Sequence, residues 1–369
     1  MQMKIIAVGD IMPGGVLSGV NKDYASNEIK QVLACADIRV GTLETAIGNT
    51  PLFYEEKLKR EADVIYAKDE DLNRLKELDI NIVSLANNHF TDLGKEGAEH
   101  TIELLDRYGI HHCGAGMNLE SASKPVVICK DGISYAFIAF CDWRKETVGW
   151  CPIATEKDFG VNPMYDDYVC SEIKKNKEKY DYVVVMPHWG KEYRVEPTRH
   201  FYSLSVKMLE AGADIILGSH THCIQPVLKK NGKIIVYGLG NFLFPDRFLN
   251  YPRSTFYPST QVDISKIPTT DGYPRYVDGI TYKIWKPMAR YGLITQIIIQ
   301  NGKNEFSSYF THLTKDNYLE LTDNSFYYSN IVKRTRFYLM SGIYPFFDFF
   351  IRLKYFLVYR FKRYKSASV

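Results

Sequence analysis

The 369-residue sequence has no long uncharged hydrophobic run, no internal repeat and no low-complexity tract. The lack of such a run argues against an ordinary membrane-spanning helix, and the lack of repeats argues against a repeat architecture. Seven cysteines are scattered without a Cys-x-x-Cys pair, so the sequence predicts neither a disulfide framework nor a cysteine zinc site. A reducing cytosol is the simplest compartment for this chain, and its first ten residues show no charged-then-apolar leader.

The net charge of +3 is unevenly distributed along the chain. Residues 331–369 hold nine Lys or Arg and one acidic residue, which makes that segment +8 and leaves residues 1–330 at −5. A mildly acidic body lacks the basic surface that nucleic acid requires, so we expect no nucleic-acid partner. Hydrophobic residues make up 46% of the sequence, which is enough for a large core.

Short apolar runs alternate with helical patterns over the first 240 residues. This alternation is typical of a layered α/β fold with helices flanking the sheets. Turn signals at Asp131-Gly132 and Asn231-Gly232 predict hairpins, so we expect mixed rather than purely parallel sheets. Residues 1–330 are interpreted as one domain. Within it, residues 245–290 show no periodicity and are expected to form an irregular insertion that could cover the functional site.

Residues that can hold a metal ion follow several of the predicted strands. They are Asp10, Glu44, Asn88, His188, His220 and His222. Taken singly, Asp10 could be a helix cap, Glu44 a solvated loop acid, and Asn88 part of a polar turn. Taken together, they would meet at one edge, because sites in open α/β sheets form beyond the carboxyl ends of the strands.

The mixture of carboxylate and imidazole ligands indicates the kind of metal. It suits Zn, Mn, Fe or Ni better than Mg or Ca, which prefer shells made of oxygen alone. One carboxylate shared between two ions would make a two-metal hydrolase site. The sequence therefore predicts one or two divalent transition-metal ions, with Mn, Fe and Zn the leading candidates.

Several short segments carry a common pattern in a fixed order. They are Gly9-Asp10-Ile11-Met12, Leu43-Glu44-Thr45, Leu85-Ala86-Asn87-Asn88-His89 with Asp92 and Gly94, Gly114-Ala115-Gly116, His188-Trp189-Gly190 with Glu192-Tyr193, Gly212-Ala213-Asp214 with His220 and His222, and Tyr237 to Phe242. In these segments the chain resembles the CapA family of capsule and poly-γ-glutamate synthesis proteins, which has a calcineurin-like metallophosphatase fold. The resemblance covers about residues 4–245.

The resemblance implies a role for each of these residues. The ligands would form two groups that share Glu44: Asp10, Glu44 and His222 for one ion, and Glu44, Asn88, His188 and His220 for the other. His89 would donate a proton to the leaving group or stabilise charge on the transferred group, and Asp10 is placed with His89 among the catalytic residues. The supporting and pocket residues would be Asn87, Asp92, Trp189 and Asn241.

The chain also departs from the superfamily pattern near the first ion. Met12 stands where ordinary metallophosphatases have a histidine two residues after the first aspartate, and Glu44 stands where the bridging residue is usually aspartate. Thioether sulfur is a poor ligand for a hard ion. These departures bear on whether both ions bind, and therefore on catalysis, more than on the fold.

The segment 331–369 differs from the rest and is expected to form an amphipathic helical tail. Pro345 is a predicted helix start. The predicted apolar face consists of Phe346, Phe349, Phe350, Leu353, Phe356 and Leu357, opposite Asp348, Arg352, Tyr355, Tyr359 and Lys362. A basic, aromatic helix of this kind can lie on an anionic membrane surface. The alternatives are a helix packed on the domain, an oligomer contact, or a partly inserted hairpin over residues 337–351.

Two functions from different classes remain open at this point. The first is a metal-dependent hydrolase acting on a phosphoester or related bond of a small-molecule or polymer substrate, during synthesis of capsule, poly-γ-glutamate or another cell-surface polymer. Hydrolysis of an amide bond is chemically open as well. The second is a non-catalytic, membrane-associated assembly factor that uses the same fold as a scaffold. A cytoplasmic location, peripheral at the inner face of the membrane, would fit either function; a nucleic-acid phosphodiesterase is disfavoured by the acidic body.

Overall fold

The fold was analysed in a computed structural model, which describes residues 2–49, 63–142, 151–250, 254–259, 262–272, 279–323 and 330–354. Two large sheets form its centre, one of seven strands and one of six. In spatial order the first sheet consists of β21 (Leu319–Thr322), β20 (Lys303–Leu313), β19 (Tyr291–Gln300), β1 (Gln2–Ile11), β2 (Ile38–Leu43), β5 (Ile82–Ser84) and β6 (His111–Cys113). Strands β1, β2, β5 and β6 run parallel, whereas β19 to β21 are antiparallel to their neighbours.

The second sheet is also mixed. Its strands, in spatial order, are β13 (Val227–Lys230), β14 (Lys233–Val236), β12 (Ile215–Leu217), β11 (Tyr182–His188), β9 (Ile133–Cys141) and β8 (Val126–Lys130). The four inner strands are parallel, and the two outer pairs are hairpins that turn at Asp131-Gly132 and Asn231-Gly232. Asp131 and Asn231 both have positive φ, as such tight turns require. The predicted mixed sheets are therefore confirmed.

Shorter strands complete the described β-structure. They are β3 (Ala46–Ile47) with β4 (Tyr66–Ala67), β7 (Ala115–Gly116) with β10 (Gly160–Val161), and a four-stranded sheet of β15 (Arg247–Asn250), β16 (Ser254–Phe256), β17 (Thr269–Thr270) and β18 (Thr281–Lys283). The expectation of an irregular stretch at 245–290 thus needs correction, because part of it forms this small sheet. Strands of two to four residues are too short to show an alternating pattern in the sequence.

Helices cover the outer faces of the sheets. The α-helices are α1 (Asn27–Ala34), α2 (Asn73–Glu77), α3 (Gly94–Tyr108), α4 (Leu119–Ser123), α5 (Asp166–Lys177), α6 (Arg199–Ala211), α7 (Asn330–Ser341) and α8 (residues 344–354). Side-chain caps begin α1 and α6, where Ser26 and Thr198 accept hydrogen bonds from backbone N–H groups of the first turn. Helix α3 ends at Gly109, which has the left-handed conformation common at helix ends.

Alternating side chains of β11 show how the layers pack. Val184 belongs to the buried cluster that includes Ile5 and Val40 of the first sheet. Its neighbours Val183 and Val185 belong to a second cluster, shared with the helices α5 and α6. One face of the six-stranded sheet therefore packs on the other sheet and the opposite face packs on helices, which confirms the predicted layered α/β fold.

The C-terminal residues pack on the body through this second cluster, which we call the helix-side cluster. Leu339 of α7 and Tyr344 of α8 are buried members of that cluster. Helix α8 begins one residue before Pro345, where the helix start was predicted, while the predicted positions from Tyr355 onwards lie outside the described residues. Among the helices of the described ranges, none combines the length and the apolar character needed to cross a bilayer.

A short connection, Gly238 to Phe242, joins the two sheets at their strand ends. Asp10 N–H donates to Gly240 O at 3.0 Å, and Phe242 N–H donates to Asp10 O at 2.9 Å. A Cβ atom at Gly9 would collide with the carbonyl oxygen of Gly240, so the two backbones can approach only because residue 9 is glycine. This contact holds Asp10 in place against the second sheet.

We expect Gly9→Ala to destabilise the fold by about 1–3 kcal/mol, because the added methyl group forces apart backbones that share hydrogen bonds. Urea unfolding measures the change. Gly272→Ala is the matched control, since a Cβ there meets no atom within 4 Å, and it should change the free energy of unfolding by less than about 0.5 kcal/mol. Equal stability of the two variants would contradict the close approach.

Candidate metal centre

The predicted ligands come together where the strands of both sheets end. Asp10 lies near the end of β1, Glu44 follows β2 and His188 ends β11. Asn88 follows β5, and His220 and His222 follow β12. Asp10, Glu44 and His188 have no exposed surface. Residues as far apart in sequence as Asp10 and His220 therefore meet in one buried group of side chains.

The first candidate ligand group consists of Glu44, His188 and His220, each of which offers one ligand atom within 4.8 Å of the others. His188 Nε2 lies 3.4 Å from Glu44 Oε1 and 3.1 Å from His220 Nδ1. Asn88 Oδ1 lies 2.8 Å from the same His188 nitrogen. Four ligand atoms therefore converge on one point, with the composition that suits a borderline divalent ion.

The second candidate group consists of Asp10, Glu44 and His222, whose ligand atoms also lie within 4.8 Å of one another. His222 Nδ1 is 3.6 Å from Asp10 Oδ2 and 3.7 Å from Glu44 Oε2. Glu44 belongs to both groups, with Oε1 near His188 and Oε2 near His222. Its two oxygens are thus arranged as a carboxylate that bridges two ions would be.

The chemistry of these side chains fits a cation. Asp10 Oδ1 and His220 Nε2 are buried and have no hydrogen-bond partner among the described residues. Burial lowers the pKa of His188 and of His220 well below the usual range, with neighbouring histidine charge adding to the effect, so both imidazoles are held in the neutral form that binds metal. Burial and the Glu44 carboxylate raise the pKa of Asp10, an effect that a nearby cation would reverse.

The backbone after β12 is strained at the two histidines of the His-x-His motif. His220 and His222 have φ of 89° and 50°, in a region that residues other than glycine rarely adopt. This conformation turns both imidazoles to the cavity, and His220 N–H donates to Asp10 Oδ2 at 3.2 Å. Such strain persists where surrounding structure enforces it, which is common at functional sites.

Polar neighbours contact two of the histidines. Ser219 Oγ lies 2.9 Å from His188 Nδ1, which leaves Nε2 for the ligand position. Asn241 Oδ1 lies 2.9 Å from His222 Nδ1, the nitrogen that also faces Asp10 and Glu44, and the Asn241 amide nitrogen donates to Ala289 O. Asn241 was predicted as a supporting residue, whereas the role of Ser219 was missed. Its only sequence signal is its position between the strand and His220.

His89 is held by the neighbouring predicted residues. Its Nδ1 lies 2.6 Å from Asp92 Oδ2, and its backbone N–H donates to Asn87 Oδ1 at 3.0 Å. Asn87 in turn donates to Leu43 O, next to Glu44. Because Nδ1 is occupied by the carboxylate, Nε2 is the nitrogen of His89 that can serve a substrate.

An aromatic group borders His222 on the other side. The ring centroids of His222 and Trp285 are 4.8 Å apart, and Phe244 lies 5.7 Å from His222. Trp285 was missed, since a single tryptophan beyond the matching motifs carries no spacing signal. Trp189, predicted as a supporting or pocket residue, is buried in the helix-side cluster and donates to Tyr237 O, so it supports the histidine loop from the core.

The chain belongs to the family described as bacterial capsule synthesis protein PGA_cap, whose sequence model matches residues 4–246. This confirms the family that the sequence resembles. It is 32% identical over 254 residues to the capsule biosynthesis protein CapA of Bacillus anthracis, covering 66% of this chain and 60% of that protein. It is 31% identical over 245 residues to the PGA biosynthesis protein CapA of Bacillus subtilis, covering 64% and 62%. The chain therefore spans about three fifths of the length of these relatives.

Solved structures with partial likeness include the NAD nucleotidase NadN of Haemophilus influenzae, with a TM-score of 0.41 and 10% identity over 88% of this chain and 54% of that one. A 5'-nucleotidase precursor from Thermus thermophilus also gives a TM-score of 0.41, with 11% identity over 94% and 59%. At these TM-scores the overlaps add nothing to the family assignment.

We expect the purified protein to contain about one to two transition-metal ions per chain, and His220→Ala to lose at least one of them. Added Mn²⁺ should raise the melting temperature of the wild type more than that of the variant, because an ion stabilises the folded state only where it binds. Metal analysis and thermal unfolding give the two readouts. His111→Ala, at an exposed position on β6, is the control; a trace metal level shared by all three proteins would contradict the site.

Proposed function

We propose that the chain is a metal-dependent hydrolase of a phosphoester or related bond, active in the synthesis of capsule, poly-γ-glutamate or another cell-surface polymer. The observation that carries this proposal is the pair of candidate ligand groups joined by Glu44, with His89 next to Asn88 in the chain. Divalent ions bound there would lower the pKa of water and polarise the scissile bond. Mn, Fe and Zn are the proposed ions.

In this proposal His89 and Asp92 handle the proton of the leaving group. The Asp92 carboxylate accepts from the Nδ1 position of His89 and from Ile65 N–H, which keeps the ring in one orientation. A protonated imidazole held in this way can donate from Nε2 to an oxygen or nitrogen leaving group. Either a phosphoester or an amide bond would therefore be served by the same residues.

Family membership and the names of the relatives support the choice of polymer. Matching proteins are named for capsule biosynthesis, for PGA biosynthesis and, in Mycobacterium tuberculosis, as a probable polyglutamine synthesis accessory protein. We extend that role to this chain as a proposal. No individual residue of the cavity identifies the polymer.

A positive charge beside the second ligand group favours an anionic substrate. Lys286 Nζ lies 3.9 Å from the ring centroid of Tyr193, which is 6.1 Å from the ring of His222. The ammonium group is half-buried on this aromatic surface, and the Tyr193 ring separates it from His222. Phosphoesters and carboxylate-rich polymers both carry the negative charge that it would attract.

We place the protein in the cytoplasm, at the inner face of the membrane. Seven cysteines scattered without a Cys-x-x-Cys pair suit a reducing compartment. The proposed membrane contact depends on the C-terminal residues rather than on the metal centre.

The second candidate function is a non-catalytic scaffold for polymer assembly. Met12 favours it, because this residue is buried in the hydrophobic core two positions after Asp10 and provides no hard ligand. An ion held by Asp10, Glu44 and His222 alone would be bound by fewer groups than the ion near His188. A protein that keeps one ion for stability and has no turnover would match this candidate.

We expect the protein to hydrolyse a generic aryl phosphate with added Mn²⁺. His89→Ala should lower kcat by about 10²–10⁴-fold while the metal content is kept, since it removes only proton transfer. Asp10→Ala should lose both metal and turnover. Steady-state kinetics and metal analysis measured on the same preparations check both variants.

His111→Ala serves as the control and should keep both properties. Bound metal without turnover on phosphate or amide substrates would favour the scaffold. Full activity in His89→Ala would contradict the assigned proton donor.

We further expect Lys286→Ala to raise KM for the anionic substrate about fivefold with kcat unchanged, because roughly 1 kcal/mol of charge attraction is lost equally in the bound substrate and the transition state. Lys286→Arg should restore KM. Lys229→Ala, which removes an exposed lysine of β13, is the matched control. An unchanged KM in Lys286→Ala would exclude this residue from substrate binding.

A further inference from the structure

Large apolar side chains are exposed on the two C-terminal helices. Within the described residues, eleven large hydrophobic side chains are exposed, and seven of them lie between positions 337 and 353 with 44–75% of their surface accessible. We name these seven the C-terminal apolar face: Phe337, Met340, Ile343, Phe346, Phe349, Phe350 and Leu353. A patch of this kind on a folded surface usually marks an interaction site.

The body of the protein holds this face outward. Tyr344, Asp348 and Ile351 are buried at a spacing of four and three residues, so they form the inner side of α8. The Tyr344 hydroxyl donates to the carbonyl oxygen of Pro197, and its ring lies 5.3 Å from that of Tyr202. The helix is therefore attached by one side, which leaves Phe346, Phe349 and Phe350 exposed.

An ion pair at the inner side removes the only negative charge of the tail from the surface. Asp348 is the single acidic residue of 331–369, and it is buried between Arg194, at 2.9 Å, and Arg352, at 2.7 Å. The exposed charges of α7 and α8 are consequently all positive: Lys333, Arg334, Arg352 and Lys354. Within these two helices, the exposed charge that accompanies the apolar face is thus positive only.

We infer that the C-terminal apolar face binds an anionic lipid bilayer, lying in its interface. Aromatic and aliphatic side chains would enter the boundary between headgroups and acyl chains, and the basic residues would pair with anionic headgroups. A second copy of the chain fits less well, because a face-to-face contact would bring two positively charged helices together. The acidic body, at −5 over residues 1–330, would be repelled from the same surface and so orient the protein.

This inference goes beyond the proposed hydrolase function and does not depend on it. The Asp348 ion pair nevertheless connects the face to the metal centre. Its partner Arg194 follows Tyr193, whose ring borders His222, and Arg194 O accepts hydrogen bonds from Cys223 and Gln225 just after the His-x-His motif. A bilayer bound at α8 would therefore lie on the same side of the protein as the loop that carries Tyr193 and Arg194.

The test is co-sedimentation of the full chain with vesicles of phosphatidylcholine alone or with an equal part of phosphatidylglycerol. We expect binding to the anionic vesicles that weakens with added salt. Phe346→Ser combined with Phe350→Ser should lower the partition coefficient at least tenfold, since two exposed aromatic anchors are lost. Lys333→Gln combined with Lys354→Gln should lower it about tenfold for anionic vesicles only.

Ile264→Ser combined with Tyr309→Ser is the matched control, because both side chains are exposed and belong to elements other than the C-terminal helices. All variants alter exposed side chains, and an unchanged melting temperature and metal content would show that they fold. Wild-type-like sedimentation of the phenylalanine variant would overturn the inference. The inference would also be overturned if the wild type bound neither kind of vesicle and formed a dimer in solution that the phenylalanine variant dissociates. That result would assign the face to a second copy of the chain.

Discussion

The burial of two carboxylates in one cavity is the constraint on which the rest of this structure depends. Asp10 and Glu44 have no exposed surface, and burial together with the Glu44 carboxylate disfavours ionisation of Asp10. Buried charge of one sign is costly unless charge of the other sign faces it. His188 and His220 do not supply that charge, because burial keeps both imidazoles neutral. A divalent cation would balance the carboxylates and use the neutral imidazoles as ligands.

The fold meets this constraint by joining the strand ends of two sheets. Glycine at position 9 allows the connection from Gly238 to Phe242 to lie against β1, and that contact places Asp10 beside the histidine loop. The left-handed backbone of His220 and His222 then directs two imidazoles into the cavity. Backbone strain at His220 and His222 and the close backbone approach at Gly9 therefore both occur at the metal centre.

The same loop that borders the metal centre also receives the C-terminal helix. Arg194 contacts Asp348 with its side chain, and its carbonyl oxygen accepts hydrogen bonds from residues after the His-x-His motif. A site for a polymer substrate and a surface suited to a membrane would then lie on one connected part of the molecule.

The sequence by itself determined the layered α/β class, both hairpins, the family and the residues that now surround the cavity, because strand periodicity and strand-end polar residues are local properties. Only the tertiary structure decided that Ser219 orients His188, that Trp285 borders His222 and that Asp348 faces inward rather than to solvent. The physical reason is separation along the chain: Arg194 and Asp348 are 154 residues apart, and no local pattern specifies which distant side chain fills the space beside another.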